Sequence, residues 1–165
     1  MEENSMREIM KNLELELDGE TKYFRITKMD AFSGAYLMKI VTEKAMPLLQ
    51  EAIKMTDGGD DEEHDAKLEM KLMTDILPRL LASMDMKELK HLMTVCLQTV
   101  DLSFPAGYQN VVDARGNFGV AELQYNTAMC LRLMYEVIVY NCSGFFEESG
   151  LASILGNLNG SLQKQ

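Results

Sequence analysis

Residues 117–146, NFGVAELQYNTAMCLRLMYEVIVYNCSGFF, decide how this chain folds. Between Thr127 and Ser143 only Arg132 and Glu136 are charged. A helix apolar nearly all round belongs at the centre of a bundle rather than on a surface. Asn126 stands where a cap is wanted, and its short side chain can accept from the first free amides. Gly144 reads as the stop, with Phe145 and Phe146 beyond it. Ahead of the helix, Gly116 and Gly119 mark a turn; the pattern is too short to cradle a phosphate.

Upstream the helical period recurs. Asp85 with Glu88 three residues on forms a capping box. It opens a helix whose face is Leu89, Leu92, Met93, Cys96, Leu97 and Val100. An earlier helix from Ala66 carries Leu68, Leu72, Ile76 and Leu80 and is interrupted by Pro78. Asp30 caps a longer one reaching Met55, with a stripe of Gly34, Leu37, Val41, Ala45, Leu48, Ala52 and Met55. Lys39, Glu43, Gln50 and Lys54 fall on its other side, so one face meets a core. Pro47 lies well inside, where its ring clashes with the Glu43 carbonyl, and a kink or split is expected.

Strand signals are confined to the N-terminal end. Leu13, Leu15 and Leu17 alternate with Glu14, Glu16 and Asp18, the two-residue period of a half-buried strand. Asp18-Gly19 supplies a tight turn, and Tyr23 to Lys28 resumes β-prone residues, which makes a hairpin. A lone hairpin is marginal in water, so it must lie on the helices. Residues 103–119 read as a loop, broken at Phe104-Pro105 and Ala106-Gly107, with a short strand at Asn110–Val112. The expected fold class is mainly α: a small bundle of about four to five helices with a short N-terminal β-hairpin. Residues 1–12 and 156–165 read as flexible tails, and 13–155 as a single helical domain with an acidic linker at 57–65.

At 165 residues, 47% hydrophobic and 25% charged, the chain can bury a sizeable core. The net charge of −10 is concentrated. Residues 57–65, DGGDDEEHD, hold six carboxylates and no Lys or Arg, while the rest carries 20 acids against 16 bases. The run reads as a solvated linker. With no basic patch, nucleic acid is not an expected partner. No stretch of eighteen apolar residues exists, so no membrane span is expected. MEENSMREIM lacks the apolar core of a secretory signal, and a cytosolic protein is the default expectation. Cys96, Cys130 and Cys142 sit among apolar residues without a C-x-x-C pair, as buried free thiols do.

Chemistry-bearing constellations are sparse. Asp60, Asp61, Glu62 and Glu63 do not have the alternating oxygens and sixth-position glycine of a calcium loop. His91 and Cys96 are five residues apart on a helix and point roughly 140° from each other, so they cannot pair locally. No catalytic residue, metal ligand or cofactor site is expected. The fourteen methionines are more informative. Flexible thioethers fill cores, as expected for Met93 and Met134, but exposed ones suit surfaces that grip apolar helices of varied sequence. Met70, Met84 and Met86 lie off the best core stripes or at helix ends and are candidates for partner contact.

GNFGVAELQYNTAMCLRLMYEVIVYNCSGFF resembles the C-terminal part of the tail assembly chaperones of long-tailed bacteriophages and prophages. YFRITKMDAFSGAYLMKIVTEKAMPLL is similar to the start of that family. The order of hairpin, kinked helix, acidic linker, helices, glycine-bearing loop, central helix and aromatic pair matches too. The likeness spans residues 22 to 155 and consists of packing patterns rather than a catalytic signature. Asn126 stands where relatives are pictured with an acidic residue, and it caps equally well.

The resemblance implies a non-catalytic protein, made in the cytoplasm of the bacterial host and absent from the mature virion. It would bind the tape measure protein, keep its apolar stretches soluble and help recruit major tail protein during tail morphogenesis. Self-association is a further partner reading. Candidate contacts are Phe118 and Tyr125 at the entry to the central helix, Phe145 and Phe146 at its exit, and Met70, Met84 and Met86. Two other readings compete: a phage-encoded regulatory helical adaptor, and an enzyme assembled from distant residues around His91.

Overall fold

In the computed structural model, residues 9–48, 51, 70 and 72–148 are described, with backbone alone at 72–73 and 143–148. The acidic linker, Ala52, Met55, Leu68 and the C-terminal tail therefore lie outside the described residues. The chain divides into two units: residues 1–34 with 90–141, and residues 35–89 with 142–165.

The first unit is built on a sheet that the sequence reading did not anticipate. Strands β1 (Met10–Leu17), β2 (Glu20–Thr27), β3 (Val100–Phe104) and β4 (Gly107–Asn110) form one antiparallel sheet in the order β1-β2-β3-β4. The expectation of a mainly α bundle is thus corrected: the chain is α+β. The hairpin is as expected. Asp18 at φ 53° and Gly19 at φ 80° make the doubly left-handed turn that suits right-twisted strands. The second hairpin lies where a loop was expected. Val100, Leu102 and Phe104 alternate with Asp101 and Ser103, and Pro105 and Ala106 turn the chain into Gly107 at φ 128°.

Pairing aligns the buried positions in rows. Leu13 faces Phe24, which faces Leu102; Ile26 faces Val100. Phe24, Ile26, Val100 and Leu102 are fully buried. Burying each such side chain contributes about 1.5–3 kcal/mol. Helix α5 (Thr127–Glu148) buries Leu133, Met134 and Val137, and its Glu136 reaches Lys11 of β1 at 3.7 Å. Gly144 does not stop it, since the helix continues to Glu148.

The second unit contains helical segments. Helix α1 (Ala31–Ile40) enters it from the first, and its cap is the expected one: the Phe32 and Ser33 amides donate to Asp30 Oδ1 at 2.9 and 3.0 Å. The break anticipated at Pro47 takes the form of a wide turn rather than a split. Val41–Ala45 is π-helical, and the Met46 amide donates to the Val41 carbonyl. The same device precedes the other proline. Leu72–Ile76 is π-helical ahead of Pro78 and helix α2 (Leu77–Ser83). In each case the residue four before the proline lies inside the widened turn, which gives its carbonyl room to clear the ring. Among the described residues of this unit, Leu37, Ile40, Val41, Ala45, Met46, Ile76, Leu80, Met84 and Cys142 are the buried apolar ones.

Helix α3 (Met86–Leu97) starts on Asp85, whose Oδ1 accepts from the Glu88 amide at 2.8 Å. The Glu88 carboxylate takes Lys44 Nζ at 3.0 Å, tying α3 to the π turn after α1. Leu92, Cys96 and Leu97 are buried, as the stripe predicts.

Candidate partner-binding surface

Phe118 and Tyr125 are displayed by a tightly specified loop. Asp113 Oδ1 accepts from the amides of Arg115 and Asn117, both at 2.9 Å. The Asn117 amide, above all, holds the Asp113 carboxyl below its ordinary value. Gln98 fixes the loop from α3 by donating to the Asp113 carbonyl at 2.9 Å. Gly116 turns at φ 85°, and Val112 then bridges Phe118. Gly119 donates to the Val111 carbonyl and passes against Asn110, so this stretch lies along the outer edge of β4. Gly116 serves the loop through its positive φ and Gly119 through its close approach to Asn110.

Tyr125 follows the short helix α4 (Ala121–Gln124) and precedes Asn126, whose Oδ1 accepts from the Met129 amide at 3.0 Å. The Cys130 thiol donates to the Leu123 carbonyl at 3.3 Å, joining α4 to α5. Leu123 is fully buried, yet Tyr125 two residues on is 88% exposed. Phe118 is also exposed.

The remaining candidates divide. Met86 is 78% exposed and Met70 is exposed too. Met84 is buried: it sits in the extended link between α2 and α3 and its side chain is core, which removes it from a surface set. The side chains of Phe145 and Phe146 lie outside the described residues.

Three exposed aromatics escaped the sequence reading. Phe32 is 90% exposed at the start of α1. Tyr23 and Tyr108 stand on the sheet face opposite the core, and the Arg25 guanidinium lies 3.9 Å from the Tyr108 ring centre while bonding Asp101 at 2.8 Å. The signal for Tyr23 was present, since it alternates with buried Phe24 and Ile26. Phe32 was off the Leu37 stripe, also a readable sign.

The charged groups near the core act structurally. Glu136 is 3% exposed and is held by Arg132 at 2.8 Å and by Lys11 of β1 at 3.7 Å. Lys22, on the same face of the sheet, pairs Glu20 at 3.0 Å and Glu122 of α4 at 3.6 Å. Burial pushes the Cys142 thiol up to about 12 and raises Cys130 as well, so neither forms a thiolate nucleophile readily. Among the described residues no group of three or more His, Cys, Asp or Glu side chains is placed to hold a metal ion. His91 is exposed on α3. No helix among the described residues is long and apolar enough to cross a membrane.

The exposed aromatics Phe118 and Tyr125 thus stand on a loop and a turn held by the Asp113 and Asn126 side chains. The family model described as phage tail assembly chaperone protein, TAC, matches residues 19–153. The chain belongs to the phage tail assembly chaperones. No curated protein and no solved structure matches it. Within this chaperone the matched span starts at the Gly19 turn, so β2, β3, β4 and every helix up to α5 fall inside it. Strand β1 precedes it.

Proposed function

We propose that this chaperone binds apolar helical stretches of the tape measure protein and keeps them soluble until major tail protein polymerises around them. It works in the host cytoplasm and makes or breaks no covalent bond. The observation that carries the reading is the exposure of Tyr125 and Met86, large apolar side chains held out from well-capped turns in a chain of this family. A rigid aromatic and a flexible thioether suit amphipathic helices whose sequences vary. Phe118 and Met70 are proposed contacts of the same kind, and so are Phe145 and Phe146.

Co-expression with the tape measure protein of the same genome tests this. Wild-type chain brings that protein into the soluble fraction and co-purifies with it. Tyr125→Ala combined with Met86→Ala weakens capture by about tenfold or more, as loss of a central contact does. His91→Ala leaves capture unchanged. Tape measure protein that stays insoluble with wild-type chain would refute the proposal.

A further inference from the structure

The two edges of the sheet are treated differently. β4 is only four residues long; Gly119 passes against Asn110 at its end, and just beyond it the chain is paired on the outer side, where Val112 bridges Phe118 and the Gly119 amide donates to Val111. β1 is eight residues long, contains neither proline nor glycine, and pairs only with β2 among the described residues. Long uncovered edges present a ready template for another strand.

The parity of the hairpin fixes which groups are free. The Lys28 amide donates to the Ile9 carbonyl at 2.8 Å, so Ile9 and Lys28 form a hydrogen-bonded pair. In antiparallel pairing such pairs alternate. The odd-numbered residues of β1 therefore bond β2, while the amides and carbonyls of Met10, Asn12, Glu14 and Glu16 point outward. Burial shows the same gap. Along the row Leu102, Phe24, Leu13, the first two are fully buried and Leu13 only partly; Leu15 is partly exposed as well.

Charge selects the occupant. Glu14 and Glu16 are exposed on the solvent face of this edge, with no cation paired to them among the described residues. A second copy, itself carrying a net charge of −10, would bring the same carboxylates against them. We infer that β1 is a docking edge for an extended segment that alternates apolar residues with Lys or Arg. Its apolar side chains would cover Leu13 and Leu15, its cations would sit across from Glu14 and Glu16, and its backbone would bond the four free positions. This edge is independent of the aromatic and methionine contacts and does not rest on the tape measure reading.

The test is amide hydrogen exchange on the full chain with two eight-residue peptides, one alternating valine and lysine, the other valine and glutamate. At a valine–lysine peptide concentration ten times its Kd, exchange at Met10, Asn12, Glu14 and Glu16 slows by about tenfold. Tyr108 on the far edge is unaffected, and the glutamate peptide does nothing. Glu14→Lys with Glu16→Lys reverses the preference between peptides. Asn12→Pro removes an amide that β2 does not use, so the sheet persists while peptide protection is lost. Four results would each overturn the inference. They are no protection by the lysine peptide, equal protection by both peptides, protection in the free chain that grows with its concentration, and edge amides already protected in the dilute free chain.

Discussion

Gly119 runs so close beside Asn110 that a Cβ on it would stand 2.6 Å from the Asn110 carbonyl oxygen. The obstacle is backbone, which cannot swing aside. Gly119→Ala must therefore push the 118–119 segment off the edge of β4, at a cost of about 2 kcal/mol. Gly34, inside α1, has nothing within 4 Å of such a Cβ, and Gly34→Ala is expected to stabilise by about 0.5–1 kcal/mol. Urea unfolding of the two variants should move the midpoint in opposite directions.

Glu136 neutralises two cations from inside the core. Glu136→Gln leaves Arg132 and Lys11 facing a neutral group. Their side chains are about one-third exposed and recover part of their hydration, so a loss of about 2 kcal/mol is expected, below that for a fully buried pair. Lys11→Ala should cost less than about 1 kcal/mol, since Arg132 still holds the carboxylate. Thermal melts of the two variants give the ranking.

How far the fold was legible in the sequence depended on what each residue met elsewhere. The caps at Asp30, Asp85 and Asn126 are local, and each accepts the amide expected of it, but the Glu88 carboxylate turns to Lys44 instead of closing the capping box on Asp85. β3 was hidden because Val100 ends a helical stripe and also begins a two-residue alternation, so the helix period absorbed the first strand residue. β1 starts at Met10 rather than Leu13 because inward-facing Lys11 breaks the apolar alternation, and only Glu136, far along the chain, makes a lysine acceptable there. Tyr125 and Met86 were legible as surface candidates from their places at helix starts. Met84 was not, since burial of a linking residue is decided by packing that its neighbours in sequence do not specify.

Asp30 and Asp113 link stability to acid. Both carboxyls are held below their ordinary value of 3.8, Asp30 chiefly by the Ser33 amide and Asp113 chiefly by the Asn117 amide. A depressed folded value means the unfolded chain binds protons first. The stabilisation is fully present above the ordinary value and disappears as pH falls through the lowered one. Asp30→Asn with Asp113→Asn should flatten the stability profile below about pH 4 while leaving it parallel to wild type near neutrality. Denaturant midpoints measured between pH 2 and 7 would reveal an unchanged acid slope if these groups were not responsible.

Pro47 forces a wide turn into an otherwise continuous helix. Pro47→Ala restores an amide donor and removes the ring clash, and should raise stability by about 1 kcal/mol with a gain in far-ultraviolet helical signal. A loss of stability would mean that the π turn at Val41–Ala45 is held by its surroundings rather than by the proline.

All three cysteines are buried, and Cys130 and Cys142 resist ionisation. An aromatic disulfide reagent at neutral pH should therefore label the native chain only as fast as it opens. Rapid labelling of any one thiol would show an opening that the packing does not predict.

A chaperone that lends apolar surface to its client must remove that surface from water on binding, and the heat capacity reports this directly. Titration calorimetry of the chain with a soluble helical fragment of the tape measure protein, repeated across temperature, should give a clearly negative heat-capacity change. The change should shrink when Tyr125 and Met86 are both replaced by serine. Binding with no heat-capacity change, or one that the double variant leaves untouched, would contradict a chaperone that grips through these side chains.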